Sequence, residues 1–511
     1  MEEKNKSVVY LDEIIFDGQT EQGVELDYVL PDYCPDIFKI LSCSLTPKIV
    51  SYSVSSDGKL ALDGVVYIKA LYIAETGSEV FCIDQRYTYS KLVDISKKDA
   101  PSPWLSFEMK QDYCTCRAVS PRRIDVRGAV SCRIKAQTCR ENVLCAIPDG
   151  LQVKTRSVSC CGKTLFAKKQ ILSSEDIETG ASGVAFIMQS GACPKVTDVR
   201  IVADKAVVKG TVIVSALYGL PNADSGGCSE AEKMTAEIPI SAILDIPGIT
   251  DEHVTIPEIS VLDFELIPKA DSGIISCKMT AECSARAWKA EKITFPVDVY
   301  STEFETDFLT NSLRLNTAPR ALSQTLTLKM NITAEGFEIR SVWDCRAEIK
   351  NPVLRVGESG ETEFAGMLCG YVYGKNTDGA PFCLEKQEAF RQSVSSSDMS
   401  EITAAQFAAK IAGADFSIKS DGAVEISAIT ELCGVLHDVV SAETVSEVTV
   451  REDKPKAGND EFALRICYTD EQSDCWSVAK AYNTTVKALM EENDITDEQA
   501  ALSGMIIIPT V

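Results

Sequence analysis

The sequence is poor in the residues that catalysis and metal binding most often use. It contains two histidines, His253 and His437, although histidine is the commonest proton carrier near neutral pH. Neither lies in an H-E-x-x-H motif or beside a G-x-S-x-G nucleophile elbow, and no glycine-rich phosphate loop precedes a helix. We therefore expect both histidines in loops or at strand ends. We predict that the chain is not an enzyme, with no catalytic residues, no metal site and no cofactor.

Long apolar runs and clusters of basic residues are also missing. No stretch approaches the roughly 18 uninterrupted apolar residues of a membrane helix. The formal net charge of -24 repels phosphate backbones, and no run of Lys and Arg reverses this field locally. The first residues, Met1 to Ser7, are polar and mixed in charge, unlike a secretory signal. We expect no membrane insertion, no nucleic acid partner and no export by the usual route.

Cysteine is abundant, but its spacing does not indicate a disulfide framework. The chain has 20 cysteines and no C-x-x-C motif, and the closest pairs are Cys114-x-Cys116 and Cys160-Cys161. In a strand, Cys114 and Cys116 would share one face and could begin a soft-metal site, but no second cluster lies at ligand spacing. Scattered cysteines in a long chain fit a reducing compartment. We expect reduced thiols that serve mainly as buried apolar side chains.

One β segment occurs twice. Residues 47–73 read P-K-I-V-S-Y-S-V-S-S-D-G-K-L-A-L-D-G-V-V-Y-I-K-A-L-Y-I, and residues 194–219 read P-K-V-T-D-V-R-I-V-A-D-K-A-V-V-K-G-T-V-I-V-S-A-L-Y-G. Apolar residues alternate with polar ones in both copies, which is typical of a half-buried strand. Gly64 and Gly210 occupy the same place within the repeat and predict a bulge or a close backbone approach.

Further matches extend this repeat along the chain. The segment from Ser131 to Ala136 matches the one from Ser276 to Ala281, and a weaker third copy runs from Pro352 to Tyr373. Short strands with frequent turns predict a mainly β protein with tandem β-sandwich or barrel-like domains. We place these domains at 8–145, 160–292 and 295–440.

The turn before the first copy carries a family resemblance. The sequence Pro31-Asp32-Tyr33-Cys34-Pro35-Asp36 leads into a segment where Asp36 could cap a short helix with Ile37, Ile40 and Leu41 on one face. This turn, together with the P-K-I-V…G-x-V-x-I-x-A-L-Y pattern, resembles the SPOCS domain of sporulation and coat-associated proteins. The resemblance covers most of residues 8–292 and is weaker in the third copy.

The C-terminal part of the chain has a different pattern. Residues 441–460 are charged around Pro455 and Gly458, which predicts a linker. A strand at Ala463–Tyr468, helices from Trp476 and from a Thr485 cap, and a final strand at Ile506–Pro509 give a small α+β unit in β-α-α-β order. Residues 461–511 resemble a LysM domain through W-S-V-A-K-A-Y-N-T-T-V-K-A-L-M-E-E-N-D-I and G-M-I-I-I-P, and we expect them to fold as a separable unit.

The LysM resemblance implies a shallow groove between two loops that holds N-acetylglucosamine-containing glycans. On this chain the groove residues would be Ser473, Asp474 and Cys475 on one side and Asn493, Asp494, Ile495 and Thr496 on the other. Where the family has G-D-T-L-W, this chain has Gln472-Ser473-Asp474-Cys475-Trp476, so the glycine that lets backbone approach the sugar is missing. Trp476 and Tyr482 are expected in the core of the module.

Two functions follow from these resemblances. The first is an adaptor like SipL-type coat proteins, which would act in the mother-cell cytoplasm at the forespore surface. Its LysM end would dock the coat-basement ATPase that polymerises around the forespore. The second is a cell-wall protein that binds peptidoglycan or N-acetylglucosamine through its LysM groove. The absence of an export signal and the altered loop favour the adaptor.

Overall fold

The computed structural model describes residues 8–75, 78–95, 103–222, 225–270, 272–317, 319–356, 362–394, 404–456, 465–497 and 501–509. Nearly all regular structure in these residues is antiparallel β-sheet, and two short helices lie near the C-terminus. The predicted mainly β fold class is therefore confirmed. Within the described residues, no helix is long and apolar enough to cross a membrane.

The first β unit contains two three-stranded sheets. Their orders are β1-β6-β5 and β2-β3-β4, and the strands are β1 (Val8–Val29), β2 (Ile37–Val54), β3 (Lys59–Ala74), β4 (Val80–Asp94), β5 (Trp104–Ser120) and β6 (Arg123–Val143). The strands β3 and β6, which carry the densest runs of buried residues, occupy the centres of their sheets. The two sheets therefore enclose an apolar core between them.

The strands of the second β unit follow the same order as those of the first. The long pair β1–β6 of the first unit corresponds here to two shorter pairs, β7–β14 and β8–β13. The sheets of the second unit are β8-β13-β12, β9-β10-β11 and β7-β14. The strands are β7 (Gln152–Cys161), β8 (Leu165–Glu178), β9 (Phe186–Val202), β10 (Lys205–Gly219), β11 (Ala231–Asp245), β12 (Val254–Pro268), β13 (Ile274–Trp288) and β14 (Ala290–Tyr300).

The third β unit follows the same order as the second. Its sheets are β16-β21-β20, β17-β18-β19 and β15-β22. The strands are β15 (Phe304–Asn316), β16 (Arg320–Ile332), β17 (Ile339–Val356), β18 (Thr362–Asn376), β19 (Pro381–Val394), β20 (Ala404–Ile418), β21 (Val424–His437) and β22 (Val439–Pro455). The boundaries of the three predicted domains stay predictions, but the strand order does recur three times.

The two glycines singled out in the repeated segment lie where another group approaches closely. A Cβ atom at Gly64 would lie 2.3 Å from the Tyr89 ring, and one at Gly210 would lie 2.3 Å from the backbone oxygen of Lys195. The β9–β10 register also shifts at Gly210. The prediction of a close approach or bulge at these glycines is confirmed, because any larger residue would meet its neighbour in the sheet.

The short helix predicted after Asp36 is wrong. Strand β2 begins at Ile37 and pairs with the end of β3, and its register shifts after Ile37 and again after Ile40. Each shift places an extra residue in β2, so apolar residues three apart reach the same side of a strand. This spacing imitates the helical period that the sequence shows.

A single arginine fixes the turn that carries the family resemblance. Arg122, between β5 and β6, donates to the Pro31 carbonyl oxygen at 2.8 Å. It also donates to the Asp36 carboxylate at 2.8 Å and to the Cys34 carbonyl oxygen at 3.2 Å. The guanidinium group therefore satisfies backbone and side-chain acceptors around the whole turn. The sequence pattern identified the turn but not this distant partner.

The three β units pack together through two junction clusters, each with residues from all three units. The first junction cluster consists of Val9, Leu144, Cys160, Ile293, Phe295, Leu313, Leu315 and Ala442. The second consists of Leu71, Val80, Met188, Leu217, Cys228, Ala231 and Tyr373. Val80 and Cys228 also form a backbone bridge, with N–O distances of 2.9 and 3.0 Å. The units therefore form one continuous body.

The C-terminal module has the predicted β-α-α-β order. It comprises β23 (Arg465–Asp474), α1 (Cys475–Ala481), α2 (Val486–Glu492) and β24 (Ala501–Ile508), with β23 antiparallel to β24. Thr485 caps α2 as predicted, since its hydroxyl accepts from the Ala488 amide at 3.1 Å. Trp476 is buried, as expected, and Tyr482 packs at the edge of the same core.

The predicted linker at 441–460 is wrong for the part that the structure describes as strand. Strand β22 continues to Pro455 and pairs with β15 along its length. Ala442 and Val445 of the strand are buried, while Arg451 donates to the Asp307 carboxylate at 2.6 Å. The charged residues and Pro455 suggested a loop. The segment is a strand instead, because it pairs with β15, more than 100 residues earlier in the chain. Residues 457–460 lie outside the described residues.

Replacing Arg122 with Met should destabilise the first β unit by about 1–3 kcal/mol, because acceptors around the 31–36 turn lose their donor. The matched control is Arg127→Met, which removes an exposed partner of Asp125 and should cost about 1 kcal/mol or less. Urea unfolding of both variants measures the difference. Equal stability of the two variants would contradict the role assigned to Arg122.

Candidate functional site on the C-terminal module

Asp474 caps the first helix of the module and joins it to the second β unit. Its carboxylate accepts from the Ser477 amide at 2.9 Å, and its own amide donates to the Ser477 hydroxyl at 3.2 Å, which completes a capping box. Lys154 on β7 donates to the other carboxylate oxygen at 2.8 Å. Partial burial raises the pKa of Asp474, but hydrogen bonds from Lys154 and Ser477 outweigh this effect and lower the pKa to about 2.

The other two residues predicted on this side of the groove do not form an open ligand surface. Cys475 begins α1 and is 0% exposed, because the first residue after the cap points into the module core. Its side chain therefore does not face an open groove, and its role in binding stays a prediction. Ser473 is half-buried in β23, where it pairs with Leu502 of β24.

Asn493 has a structural role at the end of the second helix. Its amide nitrogen donates to the Leu489 and Ile507 carbonyl oxygens at 2.8 and 2.7 Å. The Ile507 amide donates back to the Asn493 side-chain oxygen at 2.7 Å. These three bonds tie α2 to β24 and occupy the side chain that the LysM resemblance assigned to a ligand.

Asp494, Ile495 and Thr496 do line a groove, together with residues that the sequence did not indicate. The groove has a volume of about 630 Å³. Its other lining residues are Trp476, Val486, Lys487, Met490 and Glu491 of the module and Gln152 and Val153 of the second β unit. One wall therefore comes from β7, more than 300 residues earlier in the chain.

The groove combines an apolar floor with a charged rim. Trp476 and Val486 are buried, and Ile495 packs against the same core. On the rim, the side chains of Lys487 and Glu491 are 85% and 70% exposed and their charged atoms lie 3.8 Å apart. Such an arrangement suits a partner that inserts an apolar side chain and surrounds it with polar contacts.

The module is fixed to β14 by contacts around Trp476. The Trp476 ring lies 5.0 Å from the Tyr300 ring, and its indole nitrogen donates to the Asp298 carboxylate at 2.8 Å. Lys480 donates to the other oxygen of Asp298 at 2.6 Å. The buried Tyr300 hydroxyl donates to the Thr484 carbonyl oxygen at 2.7 Å. Tyr300 thus belongs to the module core, and an isolated module would lose these contacts.

The closely spaced thiols of β5 and both histidines lie outside the lining of this groove. Cys114 and Cys116 share a face of β5, as predicted, and the Cys114 sulfur lies 3.6 Å from that of Cys43 on the opposite sheet. His437 ends β21, where burial lowers its pKa, and His253 lies in the turn before β12. In the part of the chain that the structure describes, no group of three or more His, Cys, Asp or Glu is placed to hold a metal ion.

Comparison with known proteins identifies one segment. Residues 184–267 match the family described as SipL, SPOCS domain, and they span β9 to β12, the middle of the second β unit. This match confirms the predicted resemblance for that segment and associates the chain with sporulation. No curated protein and no solved structure matches the chain. SPOCS domains in the first and third units, and the LysM identity of the module, stay predictions.

Two substitutions of Asp474 separate its role as the cap of α1 from its ion pair with Lys154. Asp474→Asn keeps a good helix cap but removes the ion pair with Lys154, whereas Asp474→Ala removes both and should lose about 1 kcal/mol more. The folded pKa of about 2 lies below the ordinary value of 3.8, so the ion pair contributes fully above about pH 4 and is lost as pH falls toward 2.

Urea unfolding between pH 3 and pH 6 measures this effect. The stability difference between wild type and Asp474→Asn should shrink as the pH falls. A difference that is constant over this range would contradict the ion pair.

Proposed function

We propose that this chain is a non-enzymatic adaptor in spore coat assembly, and that its C-terminal module is a LysM-type domain that docks a protein partner. The observation that carries the proposal is the groove beside Ile495, whose apolar floor and charged rim suit a protein surface. The match of residues 184–267 to the SipL SPOCS family supports a role in sporulation.

Internal contacts argue against the alternative, binding of peptidoglycan or N-acetylglucosamine. A LysM sugar site needs main-chain groups presented in a narrow groove between two loops. Here Asp474 caps a helix and pairs with Lys154, and Asn493 bonds to β24. Trp476 is 6% exposed, with its indole N–H bonded to Asp298. Few groups of the implied sugar site are left to face a glycan.

Family resemblance suggests the partner and the place of action. In SipL-type proteins the LysM end engages the ATPase that polymerises the coat basement layer, and we propose the same class of partner here. The protein would then act in the mother-cell cytoplasm, at the surface of the forespore. The three β units would serve as a scaffold, each a SPOCS-type domain, that holds the groove at a fixed orientation.

Two substitutions at the groove test this docking. Glu491→Arg reverses a rim charge, and Thr496→Arg places a long side chain at an exposed lining position. Each should weaken binding of the coat-basement ATPase about tenfold or more, equivalent to ~1.4 kcal/mol. Ile495 is a poor choice for this purpose, because it packs on the module core and its replacement would disturb the fold.

The matched control is Glu492→Arg, the same change at the next residue of α2, which is exposed and does not line the groove. It should leave affinity and forespore localisation of a fluorescent fusion unchanged. Equal effects of Glu491→Arg and Glu492→Arg would refute the groove as the docking site. The cell-wall function would be favoured instead if the wild-type protein binds chitin oligomers at micromolar affinity and Thr496→Arg abolishes this binding without disturbing coat assembly.

A further inference from the structure

A cavity lies where the three β units meet. It has a volume of about 720 Å³ and is lined by β2 and β5 of the first unit, β12 and β13 of the second, and β17 to β19 of the third. It borders the second junction cluster at Tyr373. Cavities of this size hold small molecules in many proteins, and the docking function proposed above does not use this one.

Lys48 of β2 lines this cavity from the first unit and also borders a smaller pocket beside it. Among the described residues, no carboxylate lies within the 4.0 Å of an ion pair with its amine, and its charged end lies 4.7 Å from the centre of the Phe264 ring. Burial lowers the pKa of Lys48 to about 8, despite the attraction of the more distant Asp263. In the part of the chain that the structure describes, the amine therefore has no carboxylate at ion-pair distance.

Arg346 of β17 lies on the cavity wall of the third unit. One guanidinium nitrogen donates to the Gln189 side-chain oxygen at 3.0 Å, and the Gln189 nitrogen donates to the Tyr373 hydroxyl at 2.6 Å. Among the described residues, no carboxylate lies within ion-pair distance of Arg346 either. Gln189 comes from β9, so the second unit orients an arginine of the third toward the space that Lys48 faces.

Two other cations that line the cavity have carboxylate partners within the protein. Lys168 donates to Glu282 at 3.0 Å, where both side chains are largely buried, and Lys110 lies 3.6 Å from Asp112. Glu258, Glu348 and Glu385 also line the cavity, but none forms an ion pair with Lys48 or Arg346. Among the described residues, Lys48, Arg346 and Lys350 therefore line the cavity without a carboxylate at ion-pair distance, in a chain with a net charge of -24.

Lys48 and Arg346 are both half-buried. A partly buried charge without a partner is costly, and a bound ion of opposite sign removes much of that cost. We propose that this cavity binds a small molecule bearing a carboxylate or phosphate group, held between Lys48 and Arg346 and oriented through Gln189. Arginine provides the planar fork and lysine the point charge that oxyanions accept. Such a ligand joins the first and third β units directly, so its binding stabilises the assembled body.

Titration calorimetry of the full chain with inorganic phosphate, citrate and sulfate tests the proposal. At least one of these probes should bind saturably. The preference between phosphate and citrate shows whether the natural ligand carries a phosphate or a carboxylate group. Lys48→Met and Arg346→Met should each weaken that binding at least tenfold. Failure of all three probes to bind below about 10 mM would overturn the proposal.

The matched control is Lys110→Met, since Lys110 lines the same cavity but already has Asp112 as its partner. It should change probe affinity less than threefold. Equal losses of probe affinity in Lys48→Met, Arg346→Met and Lys110→Met would contradict a specific site, because general attraction by positive charge would then explain the binding. Without ligand, the Lys48→Met protein should have a melting temperature no lower than that of wild type, because the substitution removes an unpaired cation. A clearly lower melting temperature would show that Lys48 stabilises the fold and does not serve a ligand.

The dependence of sulfate binding on pH gives a second readout, because sulfate keeps its charge across the range used. Affinity should fall as the pH rises through about 8, where Lys48 loses its proton, and the fall should be absent in Lys48→Met. Asp263 and Arg346 are the charged groups that act on the Lys48 amine. A smaller pocket that Lys48 also borders is lined by further titratable groups, Tyr67, Lys69, Asp84, Arg86 and Glu265. An unchanged pH profile in Lys48→Met would contradict a direct role for its amine.

Discussion

The structure depends on the burial of strand ends from three β units against one another. In the first junction cluster, Phe295 of β14 is 0% exposed and packs with Val9 from the first unit and Leu315 from the third. Burying side chains of this size contributes about 1.5–3 kcal/mol each. Because the same cluster holds β7 and β14, it also fixes the surface on which the C-terminal module rests.

The candidate groove and the central cavity are both consequences of this packing. β7 supplies one wall of the groove, and β14 supplies Asp298 and Tyr300, which hold the module in place. The cavity lies beside the second junction cluster, where strands of all three units converge. Each site is therefore built from residues hundreds of positions apart, and neither exists in an isolated unit.

Local patterns in the sequence predicted local structure well. The alternation around Gly64 and Gly210 marked central strands, and the Thr485 cap marked the start of α2. The errors arose where distant pairing overrides local preference. Charged residues up to Pro455 suggested a linker, yet β15 pairs with them, and two register shifts in β2 imitated a helix.

The site was harder to predict than the fold, because it too depends on contacts between residues far apart in the sequence. The LysM resemblance predicted a groove at Asp494, Ile495 and Thr496, and these three residues line the groove beside β7. It also assigned Asp474 to a ligand, because no local pattern shows that Lys154 lies against it. Asp298 and Tyr300, which hold the module, precede it by more than 160 residues and carry no motif.

The central claim is that the C-terminal module is held as part of the body by β14. Hydrogen exchange of the full-length chain tests it most directly, with Asp298→Ala compared with wild type. Removing this carboxylate leaves Trp476 and Lys480 without their acceptor, at a cost of about 1.5–3 kcal/mol. Amides of α1 should therefore exchange at least tenfold faster in the variant, while those of β3 keep their wild-type rates. Unchanged protection of α1 in Asp298→Ala would contradict the account.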